Sequence, residues 1–291
     1  FRATLDLAAM SRRLLSRQST VREVMSTITS HAGSCPCHSC ASRVMSRSRR
    51  ALSQAGSARS TDYAFQMESS TFRFGRGIVH EVGHDMRDLG ATKVAVVTDP
   101  NLKKTIAFER AVGALDAQKI PYAVWDETRC EPTDESMQAA IGWARAQQCD
   151  AYLAIGGGSS MDTAKVANLM TVHPENELDD FVNAPIGKGL PIPRPLHPLV
   201  AVVTTAGTGS EATGTAIFDH LPSRAKTGIG SRRLRPTLGL CDPDLVGTMP
   251  RAVAMTSGLD VLCHAIESYT AIPYDQRSPR PATPAERPAY Q

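Results

Sequence analysis

No stretch of this 291-residue sequence strings eighteen apolar residues together, so no membrane-spanning helix is expected and no membrane role with it. The N-terminus also lacks the continuous apolar core of a secretory signal. Lysine is missing from residues 1–60, and acid nearly so, with only Asp6 and Glu23 against ten arginines. No paired cysteine framework is visible: the seven cysteines, at 35, 37, 40, 130, 149, 241 and 263, are odd in number and mostly scattered. That usage suits a reduced compartment. The rest of the chain has no basic excess either. Of 32 basic and 29 acidic residues, ten and two fall in the first sixty, leaving 22 and 27 for the remainder. An acidic body gives no footing for nucleic acid, so no nucleic-acid partner is expected.

What is present divides the chain. Residues 1–60 are rich in arginine, hold thirteen serines, and are nearly free of acid. These are the marks of a mitochondrial transit peptide, with a disordered surface tail as the plainer alternative. Met10 is an alternative start of translation. The stretch "HAGSCPCHSC" (31–40) has the look of a zinc knuckle built from Cys35, Cys37, His38 and Cys40. Its C-x-C-x-x-C spacing is cramped and no second cluster follows, so a zinc site is not expected.

From residue 61 onward the pattern is regular. The runs "KVAVVTD" (93–99), "PYAVWD" (121–126) and "DAYLAI" (150–155) read as strands. Between and after them, 101–119, 133–148 and 161–170 carry apolar residues at helical spacing, the second capped by Thr133 or Asp134. Strands alternating with such helices predict βαβ units and a parallel sheet. Residues 174–198 read as a long surface loop, and 198–218 as a strand running into a Thr/Gly-rich loop. The fold class expected is therefore α/β.

Three consecutive glycines, Gly156 to Gly158, stand between the third strand and the third helix. In a parallel sheet that corner is where ligands bind. The free N–H groups and dipole of the helix's first turn favour a phosphate there, and glycine removes the Cβ atoms that would hold it away. A tight turn alone would need one glycine. The usual Gly-x-Gly-x-x-Gly fingerprint is absent, because Met161 occupies its last position, and no acid follows about twenty residues later. Asp99, ending "VAVVTD", is the acidic candidate instead; it could take a ribose diol and favour NAD over NADP, or belong to an ordinary Asp-Pro turn.

A second signal lies in "SGLDVLCHAIESYTA" (257–271), where Asp260 and His264 stand four apart on a helical pattern and share one face. Such a pair can hold a divalent ion, Fe(II) or Zn(II), or simply brace a helix surface. Taken together and in order, "GGGSSMDTAK" (156–165), "TTAGTGSEAT" (204–213) and "GLDVLCHAIESY" (258–269) resemble the iron-containing, group III alcohol dehydrogenases. Shorter pieces, "TDYAF" (61–65), "EPTD" (131–134), "APIGKG" (184–189), "PTLGLCDP" (236–243) and "RSPRPATPAERPAYQ" (277–291), look like its mitochondrial transhydrogenase branch.

The resemblance implies a dinucleotide-binding α/β domain over 61–246 and the start of an all-helical metal-binding domain over 247–291, preceded by the 1–60 segment. Carried over by motif, Gly157, Gly158 and Ser159 hold the NAD pyrophosphate, with Asp162 close behind, and Asp99 takes the adenosine ribose. Thr204, Thr205 and Thr208 line the nicotinamide half. Lys226, in "AKTGIG", matches a position near the cofactor, with an ordinary surface lysine as the alternative. Asp260 and His264 are two of the metal's ligands. The implied chemistry is metal-assisted hydride transfer in the mitochondrial matrix. It runs from 4-hydroxybutyrate to 2-oxoglutarate through retained NAD, giving succinate semialdehyde and 2-hydroxyglutarate.

Both substrates are small anions, for which Arg232, Arg233 and Arg235 are candidate partners if they are not merely solvated. A homo-oligomer is compatible with the sequence. A plain NAD-dependent alcohol dehydrogenase of the same family is the second reading. A third, an inactive nucleotide-binding fragment, follows from the resemblance itself, which implies one Asp and three His around the ion. His264 is the last histidine, and the earlier ones at 31, 38, 80, 84, 173, 197 and 220 lie in no matching segment. The proline-rich tail has no helical period. A C-terminally truncated product, with half a metal site and an exposed apolar helix face, is expected.

Overall fold

The runs at 93–99 and 150–155 are apolar without alternation, the pattern of strands covered on both faces. The computed structural model describes residues 70–272 and makes both of them central strands. The described residues belong to one unit, Asp62–Gln291; the expectations placed on residues 1–69 and 273–291 lie outside the described residues. Six parallel strands form the main sheet: β1 (Thr71–Phe74), β2 (Val94–Val97), β3 (Tyr122–Trp125), β4 (Ala151–Gly156), β5 (Leu199–Val203) and β8 (Leu238–Cys241), in the order β1-β8-β5-β4-β2-β3. The register places Val94 beside Ala151 and Val97 beside Ala154.

Helices cover both faces. Val94 and Val96 of β2, with Leu153 and Ile155 of β4, pack against α1 (Val82–Asp88) and α2 (Ile106–Ala117). The alternate residues Ala95, Val97, Tyr152 and Ala154 face α3 (Asp134–Gln147) and α4 (Gly158–Val172). Thr133 caps α3 by accepting a bond from the Ser136 amide at 3.2 Å, while the Ser136 hydroxyl accepts from the Thr133 amide at 2.8 Å. α4 is the central helix. Eleven of its fifteen residues are buried, because the sheet lies on one side and α3 with a β-hairpin on the other.

That hairpin corrects the expectation for 198–218. β5 ends at Val203, and Thr215–His220 (β6) pairs antiparallel with Ala225–Gly230 (β7) as a separate two-stranded sheet. The loop expected over 174–198 contains one short helix, α5 (Leu178–Phe181), whose Leu178 and Phe181 join a second core with Met137, Val166 and Phe218. After β8 come α6 (Pro243–Val246) and α7 (Arg251–Thr270). None of the twenty residues of α7 is buried, and Met255, Leu259, Leu262, Ile266 and Tyr269 are all more than half exposed. No helix among the described residues is long and apolar enough to cross a membrane.

Candidate functional site

Strand order decides where a ligand cleft can open. From β2 the chain moves outward to β3 and then crosses to β4 on the other side of β2, so the sheet reverses direction between β2 and β4. The carboxyl ends of those strands flank a crevice at the switch point. β2 delivers Asp99 to it and β4 delivers the glycines. β5, next to β4, adds Thr204, Thr205 and the loop that follows.

α4 begins at the middle of the glycine run, with Gly157 as its N-cap and no side chain capping it. Its first helical bond joins the Met161 amide to the Gly157 carbonyl at 3.1 Å, so the amides before it have no intrahelical acceptor. The reason for consecutive glycines is visible across the crevice. A Cβ on Gly157 would lie 2.7 Å from the Thr205 hydroxyl, and one on Gly158 would lie 2.9 Å from the Thr208 methyl. Bare backbone lets the threonine loop approach the helix N-terminus closely. Thr204 continues the β4–β5 ladder, its amide donating to the Gly156 carbonyl at 3.2 Å. Its hydroxyl is buried and has no partner among the described residues. Leaving such a group unpaired costs about 1–3 kcal/mol. Thr208 accepts a bond from the Ser210 amide at 3.2 Å. Ser159, in the first turn, accepts one from the Glu131 amide at 3.3 Å.

Asp99 folds its own turn. Its Oδ1 accepts from the amides of Asn101 and Leu102 at 2.8 and 3.0 Å, so the ordinary-turn reading holds and leaves a partly exposed carboxylate at the strand end. Asp162 stands differently from the other expected residues. It is turned into the protein: Oδ1 accepts from the Ser210 hydroxyl at 2.6 Å and Oδ2 from the Ile217 amide at 3.0 Å. Lys165, one turn on and fully buried, donates to Ser210 at 2.7 Å and to the Thr215 carbonyl at 2.8 Å, and lies 3.4 Å from Asp162. Burial lowers the Lys165 pKa, opposed by the Asp162 charge. The two together hold the threonine loop rather than meet solvent. Lys226, on β7, is exposed and ion-paired with Glu131; that bond raises its pKa. The loop carrying Glu131 therefore links Ser159 to the hairpin.

Of the three arginines, Arg235 donates through Nε to the Ala212 carbonyl at 3.1 Å and so braces the threonine loop, while Arg233 lies exposed in the turn after β7. α7 meets the same loop. A Cβ on Gly207 would lie 2.9 Å from the Ser257 Cβ, so glycine is needed for that contact. Asp260 and His264 follow Ser257 at three and seven residues, on the same stripe of the helix. Asp260 Oδ2 and His264 Nδ1 are 3.9 Å apart and both side chains are substantially exposed. Among the described residues no group of three His, Cys, Asp or Glu could hold a metal, so the pair fits half of such a site and no more.

Sequence reasoning did not single out Lys165, Ser210 or Glu131. A signal existed for the first: an acid and a lysine three apart, followed by the apolar run of a helix with no clear solvent face, demand internal partners. Glu131 gave no signal, because its contact with Lys226 spans 95 residues of chain.

A family profile described as iron-containing alcohol dehydrogenase matches residues 69–243. The chain is 52% identical over 236 residues to a Caenorhabditis briggsae protein named hydroxyacid-oxoacid transhydrogenase, mitochondrial, covering 81% of this chain and 51% of the relative. The Homo sapiens protein of that name is 51% identical over 235 residues, covering 81% of this chain and 50% of the relative. The chain spans about half the length of the curated relatives it matches. Among solved structures, a 1,3-propanediol oxidoreductase is 31% identical with a TM-score of 0.65, over 71% of this chain and 53% of the other. A sulfoacetaldehyde reductase from Bifidobacterium kashiwanohense in complex with NAD+ is 26% identical with a TM-score of 0.63, over 72% and 54%. With the family profile matching well over half of its residues, the chain belongs to the iron-containing alcohol dehydrogenases.

Proposed function

We propose that the crevice at the sheet's switch point, lined by the glycine turn and the threonine loop, is the NAD half of a hydroxyacid-oxoacid transhydrogenase. The observation that carries this reading is the pairing of Gly157 and Gly158 with Thr205 and Thr208 across the amino end of α4, at the sheet's switch point. A dinucleotide fits these residues. Amides without helical acceptors and a bare backbone suit a diphosphate, and the unpartnered Thr204 hydroxyl supplies a bond that the folded chain leaves unused. The Asp99 carboxylate would take the adenosine ribose and repel a 2′-phosphate. Thr205 and Thr208 would line the nicotinamide side. Bound there, NAD supplies reversible hydride uptake.

The relatives' names extend the reading to a hydroxyacid as hydride donor and an oxoacid as acceptor in the mitochondrion. Within those classes the reading takes 4-hydroxybutyrate and 2-oxoglutarate, both small anions, and the mitochondrial matrix. The arginine-rich, acid-poor N-terminal segment supports that address. Arg232, Arg233 and Arg235 are the candidates for attracting the anions, with Arg233 the most exposed of the three. Asp260 and His264 complete no metal site among the described residues, so no step of the reaction is assigned to a metal.

Purified protein given both substrates and no added NAD tests the whole. Formation of succinate semialdehyde with 2-hydroxyglutarate supports a retained hydride carrier. A requirement for stoichiometric NAD, with NADH released, points to a plain alcohol dehydrogenase, in keeping with the 1,3-propanediol oxidoreductase among the similar structures. NAD binding without turnover leaves a nucleotide-binding protein.

A further inference from the structure

We propose that Asp162, Lys165 and Ser210 form a buried positioning unit that fixes the threonine wall of the nucleotide crevice, by tying the loop 204–214 in register along α4. The inference rests on the cofactor reading above.

Gly158, Asp162 and Lys165 are spaced at i, i+4 and i+7, so they form one stripe along α4. The loop meets that stripe residue by residue in the same order. Thr208 lies against Gly158, where an added Cβ would come within 2.9 Å of it. Ser210 bonds Asp162 at 2.6 Å and Lys165 at 2.7 Å. Thr213 and the Thr215 carbonyl close on Lys165 at 3.5 and 2.8 Å, and the Ile217 amide reaches back to Asp162 at 3.0 Å. The first member of this series is the crevice wall itself. The next two are charged groups in a helix of which eleven of fifteen residues are buried.

Apolar residues of similar volume could fill the same space, and replacing a buried ion pair in that way is often neutral for stability. What they could not do is fix a distance. Directional bonds from Asp162 and Lys165 to Ser210, Thr213 and the Thr215 carbonyl leave the loop one register on the helix, and so one placement of Thr205 and Thr208 against Gly157 and Gly158. A supporting shell of this kind decides whether a binding wall stands at its productive distance. These three side chains are positioning residues. The hydroxyl of Ser210 and the Lys165 ammonium are spent on one another and on Asp162, and none is exposed to a ligand.

The test is calorimetric titration of the wild type, Ser210→Ala and Lys165→Met with NAD and separately with AMP, alongside thermal unfolding. AMP would use Asp99 and the amino end of α4 but not the threonine wall. NAD affinity should fall about ten- to a hundredfold in both variants, the scale seen when the partners supporting a site's binding groups are removed. AMP affinity should stay within about twofold of wild type. Equal loss of NAD and AMP, or unchanged NAD affinity in the milder Ser210→Ala, would overturn the proposal. If Lys165→Met does not fold, Ser210→Ala still decides. A wild type that binds neither ligand would instead refute the cofactor reading, and this inference with it.

Discussion

Gly157 and Thr205 face each other so closely that a Cβ on the glycine would stand 2.7 Å from the threonine hydroxyl. The glycine run is thus required twice, once by any phosphate approaching the helix and once by the protein's own loop. Gly157→Val separates into two expected effects. Forcing branched carbons into this gap should lower stability by about 1–3 kcal/mol, as overpacking does. NAD affinity should fall by more than about tenfold, a loss of at least 1.4 kcal/mol. Thermal unfolding and calorimetric titration measure these independently, and unchanged NAD affinity would remove the glycine turn from the site.

Asp99 has two jobs that one substitution can split. Its Oδ1 holds the turn at Asn101 and Leu102, and its charge is the feature that would discriminate against NADP. Asp99→Asn keeps an oxygen for the turn and should leave stability within about 0.5 kcal/mol. It should also narrow the preference for NAD over NADP by about tenfold, the worth of roughly 1.4 kcal/mol of repulsion. Asp99→Ala should narrow it equally and lose a further 0.5–1.5 kcal/mol or so of stability. Parallel titrations with both dinucleotides, with melting curves, would show whether the charge matters.

Asp180 anchors the loop around α5. It accepts bonds from the Lys188 ammonium at 2.7 Å, the Asn176 amide at 2.9 Å and the Glu177 backbone amide at 3.1 Å. The Lys188 bond above all lowers its pKa from 3.8 to about 2. A carboxyl depressed in the folded state stabilises above its unfolded pKa and loses that contribution as pH falls through the folded one. The window is therefore roughly pH 4 down to 2. Asp180→Asn should be less stable than wild type at neutral pH, and the difference should shrink across that window. A stability difference constant from pH 6 to 2 would show that the ion pair carries none of it.

How much of this was readable in advance depends on the range of the contacts. β2, β4 and the helices between them were legible because four to six apolar residues flanked by turn formers leave few alternatives. β1, with Thr71 and Arg73, and β8, interrupted by Gly239, do not form unbroken apolar runs, and β6 merged with the Thr/Gly-rich stretch before it. The start of α4 was placed three residues late, at Met161, because glycine argues against helix while the sheet and hairpin around α4 override it. The fold brings Thr205 and Thr208 against Gly157 and Gly158, and Thr204 onto the Gly156 carbonyl. Asp162 looked like a cofactor residue for want of its partner, since Ser210 lies 48 residues further along the chain. Local pattern shows that a carboxylate is present; only the fold shows which way it is turned.

The stripe Ser257, Asp260, His264 yields the last prediction. Ser257 presses on Gly207 of the threonine loop, and the two candidate metal donors lie on the same stripe of the helix. Two donors on a helix with no buried residue, and no third within reach among the described residues, leave an ion largely to water. Four-ligand protein sites hold zinc with about 10–16 kcal/mol, and affinity drops steeply as ligands are removed. The purified 291-residue chain should therefore lose iron or zinc on gel filtration against a mild chelator. Its NAD titration should be the same with or without added metal, and the same again for His264→Ala. One iron or zinc retained per chain, lost in Asp260→Ala and His264→Ala alike, would show that further ligands close the site around this pair.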